Sequence, residues 1–255
     1  MTKSAEPTAR ASTASFCLLC LDNASDMLDR SLFCSAGDTP EGSSCCLACL
    51  QGYISSAISS SRPGSVPALN CPLCPPAKEK GSGGRCLLKY SFLLALAGEN
   101  SNLRNELHQY NNLAASVGTL QCGDCDQRKS IHTSPSTSDI SCAQNYLGGN
   151  LELVQREIQR YECGDIGVES FFEKVPTTIF PQLNFMTDLE AWHAILNILR
   201  LIQNPERRVN FQLRYLRNKP RVWSSCHNRE QCYKCKTKDF HPGKTCAQVC
   251  NQFDN

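Results

Sequence analysis

Apolar side chains recur at helical spacing between residues 149 and 220, and this pattern predicts a helical region. One helix is expected to follow Thr187 or Asp188 as its cap, and another to open at Pro205 and end at Pro220. The stripes consist of Leu151, Val154, Ile158 and Tyr161, then Trp192, Ile195, Leu196, Leu199 and Ile202, and finally Val209, Leu213 and Leu216. We expect these side chains to form a core.

Residues 78–148 are predicted to be a linker that contains helices and a cysteine pair. Apolar residues near helical spacing from Leu87 to Leu113 indicate two helices, with a break at residues 98–101. The Gly-Ser-Gly-Gly stretch at 81–84 marks the start of the linker. Residues 126–145 are rich in polar side chains and are predicted to be a polar loop.

The first 77 residues show little apolar periodicity. Residues 1–15, rich in Ser, Thr and Ala, are predicted to be a disordered arm. Residues 16–77 form a cysteine-rich module with one short helix expected from Cys46 to Ile58.

Composition limits the compartment and the chemistry. The chain has 255 residues, 18 of them Cys, and a formal net charge of +2. It lacks an apolar run of the 18 or more residues that a membrane span needs, and its N-terminus has no apolar stretch typical of a secretory signal. We therefore expect no membrane partner and a reducing compartment, cytoplasmic or nuclear, where thiols are metal ligands more often than disulfides.

Five Cys-x-x-Cys pairs carry most of the chemical information. Two thiolates in one tight turn bind a single zinc, and two such pairs complete a tetrahedron. The pairs are Cys17 and Cys20, Cys46 and Cys49, Cys71 and Cys74, Cys122 and Cys125, and Cys232 and Cys235. We expect two to four Zn²⁺ ions. The predicted fold therefore has small zinc-stabilised modules at both ends, joined by a mainly α-helical middle with little β-structure.

The cysteine order in residues 16–77 resembles a RING finger, in particular the first RING of RING-between-RING proteins. The resemblance implies a cross-brace of two interleaved zinc sites. The first site would be Cys17, Cys20, Cys46 and Cys49, and the second Cys34, Cys71 and Cys74. The usual fourth ligand, a His, is replaced by Ser43, so the fourth ligand of the second site stays open. Cys45 is one candidate, and the alternative is that Cys45 is a small buried side chain. The second site would then have three thiolates and a water, or be weakly occupied.

The resemblance also implies a surface that recruits a ubiquitin-conjugating enzyme. The matching positions are Leu19, Leu50 or Tyr53 on the helix after Cys49, and Pro72. The alternative is that Leu19 and Pro72 only pack the zinc loops.

In residues 221–250, Cys232-x-x-Cys235 is followed by His241, Gly243 and Cys246, and the aromatic residues Tyr233 and Phe240 stand beside the ligands. This order resembles the second half of an in-between-RING zinc module with a treble-loop fold. Carried over, Cys232, Cys235, His241 and Cys246 form a third zinc site. A possible fourth site would bring Cys122 and Cys125 to Cys226, with His227 or Cys250 as further candidates. The remaining cysteines, Cys86, Cys142 and Cys163, are expected to be free buried thiols.

Three functions follow as hypotheses. The first is a zinc-binding RING-type protein that recruits a ubiquitin-conjugating enzyme, as a ligase or an adaptor without a thioester cysteine of its own. The second is a degenerate zinc scaffold for protein–protein interaction. The third is a basic RNA-binding zinc protein, because residues 201–246 carry many Arg and Lys, among them Arg214, Arg217 and Lys219. A thioredoxin-like enzyme is a poor fit, since no pair lies in a βαβ pattern.

Overall fold

The computed structural model describes residues 16–35, 43–61, 65–74, 86–117, 119–122, 125, 127–130, 137–175, 187–224, 226–227, 229–235, 237 and 239–250. The predicted arm at 1–15 lies outside these residues. The helices are α1 Arg30–Phe33, α2 Leu47–Ser59, α3 Tyr90–Glu99, α4 Ser101–Val117, α5 Thr137–Leu147, α6 Leu151–Cys163, α7 Val168–Lys174, α8 Asp188–Leu201, α9 Pro205–Asn218 and α10 Cys246–Cys250. The strands are β1 Met27–Asp29, β2 Ser44–Cys46, β3 Thr119–Gln121, β4 Arg128–Ser130, β5 Arg221–Trp223 and β6 Glu230–Cys232.

The described residues are mainly helical, and their strands pair as three antiparallel ribbons, β1 with β2, β3 with β4 and β5 with β6. This confirms the coarse prediction of a helical protein with little strand and with clustered Cys and His residues toward both ends. Each ribbon is only three residues long per strand. Such short ribbons are not stable alone, so packing and the sites at their ends must hold them.

The N-terminal core gathers the first ribbon and helices α1 to α4. Phe33, Leu50, Ile54, Leu93 and Tyr110 are fully buried within it. The two helices predicted between Leu87 and Leu113 are therefore present as α3 and α4. They pack into this core, so the N-terminal unit extends well past residue 77.

The second core lies in residues 147–222, where the predicted stripes form α6, α8 and α9. Thr187 caps α8 with a reciprocal capping box to Glu190, and Asn204 caps α9, which has Pro205 in its first turn. Phe171 of α7, a helix that the sequence pattern did not predict, stacks on Tyr161 with ring centroids 4.6 Å apart.

Helix α4 joins the two cores, because it contacts α2 on one side and α9 on the other. The Tyr110 hydroxyl of α4 donates to the Pro67 carbonyl oxygen at 2.8 Å. The two cores are thus packed through a shared helix.

The prediction of a polar loop over residues 126–145 is wrong. Strand β4 and most of helix α5 lie there, and residues 131–136 are outside the described part of the chain. Helix α5 buries Ala143 and Leu147 and packs against α8. Its many Ser and polar residues masked the apolar positions that make this contact.

A buried carboxylate ties α6 to α7. Glu157 accepts a hydrogen bond from Lys174 at 2.6 Å and pairs with Arg160 at 3.4 Å. The hydrogen bond from Lys174 lowers the pKa of Glu157, against the effect of burial. A lowered folded pKa contributes stability above the unfolded pKa of about 4.3, and this stability is lost as pH falls through the folded value.

We expect Glu157→Gln to lower the free energy of unfolding by about 1 kcal/mol at pH 7, because Lys174 is partly exposed and its charge stays solvated. The difference from the wild type should shrink below about pH 4. Urea unfolding of both proteins at pH 7 and below about pH 4 measures this difference in the free energy of unfolding. Glu152→Gln, an exposed change on the same helix, is the control. A constant difference at all pH values would contradict the assignment.

No helix in the described part of the chain is both long and apolar enough to cross a membrane.

Candidate metal centres

Cysteine and histidine side chains meet in four groups, and within each group the candidate ligand atoms lie within 4.8 Å of one another. The groups are Cys17, Cys20, Cys46 and Cys49; Cys34, Cys71 and Cys74; Cys122, Cys125, Cys226 and His227; and Cys232, Cys235, His241 and Cys246. The structure thus brings together the residues of each predicted grouping, and His227, one of the two further candidates for the fourth site, lies with Cys122, Cys125 and Cys226. All the described cysteines with placed side chains are free thiols.

The local backbone explains how the pairs present their sulfurs. In three of the Cys-x-x-Cys turns the first cysteine N–H donates to the carbonyl oxygen five residues on: Cys17 to Asp22, Cys122 to Gln127 and Cys232 to Thr237. Ser224 makes the same bond to Arg229, in the turn that carries Cys226 and His227. This closure folds each turn so that its ligands point to one side.

The distances fit zinc. A tetrahedron with Zn–S bonds of about 2.3 Å and Zn–N bonds of about 2.0–2.1 Å has S···S edges of about 3.8 Å and S···N edges of about 3.6 Å. The Cys232 and Cys246 sulfurs are 3.8 Å apart, and those of Cys125 and Cys226 are 3.7 Å apart. A disulfide would need about 2.05 Å. Zinc bound in such sites would act as a structural cross-link.

The first group joins the turn at Cys17 to the start of α2. Cys46 is the N-cap residue of α2, and its backbone N–H donates to the Cys17 sulfur at 3.3 Å. Burial acts to raise the pKa of Cys17, but backbone N–H donors outweigh it and lower the pKa to about 6. The neighbouring thiol of Cys46 raises the pKa of Cys49. Crowded thiols of this kind ionise together only when a cation compensates their charge.

The second group combines Cys34 with the turn of Cys71 and Cys74, and the Cys34 and Cys74 sulfurs are 3.4 Å apart. Cys45, the fourth ligand considered from the sequence, is outside the group. It lies on β2 opposite Leu28 and is fully buried, and burial raises its pKa to about 12. These features are typical of a small core side chain, not of a metal-binding thiolate.

The third group has an oriented histidine. The His241 Nδ1 atom is 2.9 Å from the Lys244 carbonyl oxygen, which can only accept, so Nδ1 carries the proton. The Nε2 lone pair therefore faces the sulfurs, 3.1 Å from Cys235 and 3.8 Å from Cys246. Burial opposes ionisation of Cys235, yet hydrogen bonds from the side chain and backbone of Thr237 lower its pKa to about 6.

The fourth group links two ribbons across the helical region. The β3–β4 turn supplies Cys122 and Cys125, and the β5–β6 turn supplies Cys226 and His227. The Cys122 sulfur is 3.6 Å from His227 Nδ1. Helices α5 to α9 lie between these ribbons in the chain, so they are inserted within a composite cysteine–histidine module. The Cys226-His227 dipeptide was the sequence feature that pointed to this ligand; the side chain of Cys250 is not described.

Two other sets of predictions need correction. Leu50 is fully buried in the N-terminal core and cannot contact a partner, whereas Leu19 is 40% exposed and Tyr53 and Pro72 are half-buried. Cys142 is exposed, not buried, and Cys86 and Cys163 are half-buried. The prediction that Leu50 contacts a partner is wrong, because Leu50 lies on the core face of α2 together with Ile54 and Ile58.

Comparison of the chain with protein-family models, with curated proteins and with solved structures finds no match.

Proposed function

We propose that the protein is a zinc-stabilised recruitment protein whose N-terminal module binds a ubiquitin-conjugating enzyme, as a ligase or ligase adaptor. The observation that carries this proposal is the interleaving of two thiolate groups in residues 17–74, with an apolar surface beside the first. Zinc holds the loops, and the loops display the partner-binding side chains. The RING-like order of the ligands makes the conjugating enzyme the preferred partner.

The first zinc loop, residues 16–22, exposes four large apolar side chains. Phe16, Leu18, Leu19 and Leu21 are 50%, 41%, 40% and 72% exposed. Single exposed leucines are common on protein surfaces, but a contiguous cluster is typical of an interaction site. This cluster supports a protein partner at the first zinc loop.

The backbone of Leu21 lies in the left-handed region, with φ of 66°. Gly or Asn adopts this conformation more easily than Leu, and the zinc loop holds Leu21 there through the bond from its N–H to the Cys17 carbonyl oxygen at 2.8 Å. The exposed Leu21 side chain contributes little to folding, and a contact with a partner would account for it.

RNA binding has less support, because several arginines of the basic segment are engaged within the protein. Arg208 is buried and donates to the carbonyl oxygens of Ile202 and Gln203. Arg214 pairs with Glu169, and Arg221 pairs with Glu230 at 2.6 Å. Paired or buried guanidinium groups offer little to phosphates.

An in vitro ubiquitination assay with a panel of conjugating enzymes tests the proposal. We expect Leu19→Ala combined with Leu21→Gly to reduce activity at least about 10-fold, because central apolar anchors cost about 2 kcal/mol or more when truncated. The variant should bind zinc and be at least as stable as the wild type, since both side chains are exposed and Gly adopts the left-handed backbone of residue 21 without strain.

Leu94→Ala is the matched control, an exposed leucine on α3 outside the zinc loop. It should keep full activity. If the wild type binds zinc but supports transfer with none of the enzymes, the ligase proposal fails and the zinc scaffold becomes the better explanation. Equal loss in Leu94→Ala would show that the zinc loop is not the contact.

A further inference from the structure

We propose that Cys86 is the fourth ligand of the metal site formed by Cys34, Cys71 and Cys74. The inference deepens the zinc-binding part of the proposed function and rests on it. It gives the second site a complete four-thiolate set with a ligand beyond the last Cys-x-x-Cys pair of the N-terminal module.

The segment that starts at Cys86 pairs with the segment that ends at Cys71. Asn70 and Leu87 are bridge partners, and this register places Cys71 opposite Cys86. The Cys71 N–H donates to the Cys86 carbonyl oxygen at 2.8 Å, and the next bond of the ladder joins Leu88 to Leu69. Directly opposite residues in an antiparallel pair project to the same face, with Cβ atoms about 4.5–5.5 Å apart. Cys86 therefore projects to the side on which Cys71 meets the other ligands.

The same segment is tied to the chain beside Cys34. Leu88 is the bridge partner of Cys34, and the Ser35 N–H donates to the Leu87 carbonyl oxygen at 2.9 Å. The Leu87 N–H in turn donates to the Ser35 hydroxyl at 2.9 Å. The segment after Cys86 thus lies between the two stretches that supply Cys34 and Cys71.

The Cys86 side chain lies on the same face as that of Cys71 but outside the group. Its sulfur does not lie within 4.8 Å of all three of the other sulfurs. The backbone of this segment is held by pairing on both sides, so we expect rotation about the Cα–Cβ bond of Cys86 to bring its sulfur to the fourth corner of the site.

The other nearby candidates do not fit that corner. Cys45 faces its neighbours on the β1–β2 ribbon and is not within the group. The Arg30 guanidinium donates to the Cys74 sulfur at 3.0 Å, but it has no lone pair to coordinate a metal.

Arg30 has a complementary role in a four-thiolate site. Zinc with four thiolates carries a formal charge of about −2, which is costly inside a protein unless it is compensated. The buried Arg30 side chain supplies a positive charge and a hydrogen bond at the sulfur of Cys74. The surroundings are therefore suited to an anionic metal centre.

Cobalt(II) is the probe for the ligand set, because the intensity of its sulfur charge-transfer band rises with the number of thiolates bound. In the full chain, Cys86→Ser should lose the band intensity that one thiolate contributes. It should also bind one of its metal ions about 10- to 100-fold more weakly than the wild type in competition with a chelator, because loss of a residue that only supports a ligand already has an effect of this size. Cys86→His should restore the ion with a nitrogen ligand. Cys142→Ser, an exposed cysteine outside all groups, should match the wild type.

Alkylation of the unaltered, zinc-loaded chain provides a test that does not depend on a variant folding. Cys86 should be protected from iodoacetamide until a chelator is added, whereas Cys142 should react throughout. Reaction of Cys86 at the rate of Cys142 in the loaded protein would overturn the inference, and so would a Cys86→Ser spectrum equal to that of Cys142→Ser. Loss of a thiolate in Cys45→Ala instead would assign the corner to Cys45.

The outcomes separate the two proposals. If the wild type binds neither cobalt nor zinc, the zinc-based function fails together with this inference. If it fills the other three groups while the substitution of Cys86 has no effect, only the inference fails.

Discussion

Replacing Cys20 with Ser should remove one zinc ion and unfold the N-terminal module. Cys20 is exposed, so its side chain contributes little packing, and the effect reports on coordination alone. A structural zinc site contributes about 10–16 kcal/mol of apparent binding energy in small domains at pH 7, which is comparable to the whole stability of a domain. We expect a loss of more than about 4 kcal/mol in the free energy of unfolding.

Cys142→Ser is the matched control, because Cys142 is also exposed and belongs to none of the four groups. Metal content by mass spectrometry and urea unfolding followed by circular dichroism measure the two variants side by side. If Cys20→Ser keeps the zinc content and stability of the control, the first group is not a metal site.

Removing a ligand of the fourth group should have the second largest effect. The Cys125 and Cys226 side chains are 101 residues apart in sequence, so a metal between them closes a loop around the helical region. A cross-link over a loop of about 100 residues stabilises a chain by about 4.7 kcal/mol in the chain-entropy model. Cys125→Ser should therefore lose one zinc ion and roughly 3–5 kcal/mol of stability.

His227→Cys offers the control for this prediction, because it exchanges one ligand type for another and should keep the ion. Limited proteolysis should cut Cys125→Ser near the β3–β4 ribbon while α8 and α9 remain protected by their core. Full zinc occupancy in Cys125→Ser would show that the two ribbons are not joined by a metal.

The helices were predictable where one apolar face and a cap act together. Thr187 and Asn204 satisfy the first N–H groups of α8 and α9, and the apolar stripes behind them bury against one core. Helix α5 was missed because its apolar residues are spaced among Ser, Asn and Gln, and only contact with α8 reveals them as core. Burial against a distant helix is information that a local pattern lacks.

The metal groups were predictable to the extent that their ligands are local. A Cys-x-x-Cys turn brings its two sulfurs together by its own hydrogen bond, as at Cys17 and Cys232. Which turns share an ion depends on the fold: His227 and Cys125 meet only because the helical region returns the chain. Cys86 was predicted to be a free buried thiol, because nothing in the sequence around it shows that its backbone is hydrogen-bonded to that of Cys71.

We infer that metal ions, held by cysteine and histidine from distant parts of the chain, shape both the N-terminal module and the composite module around the helical region. Native mass spectrometry of the purified full chain, before and after chelation, tests it most directly. We predict four zinc ions per chain, one for each group, and loss of protease protection around residues 17–49 when they are removed. A chain that contains no zinc, or that keeps its fold unchanged after complete chelation, would show that metal ions do not shape these modules.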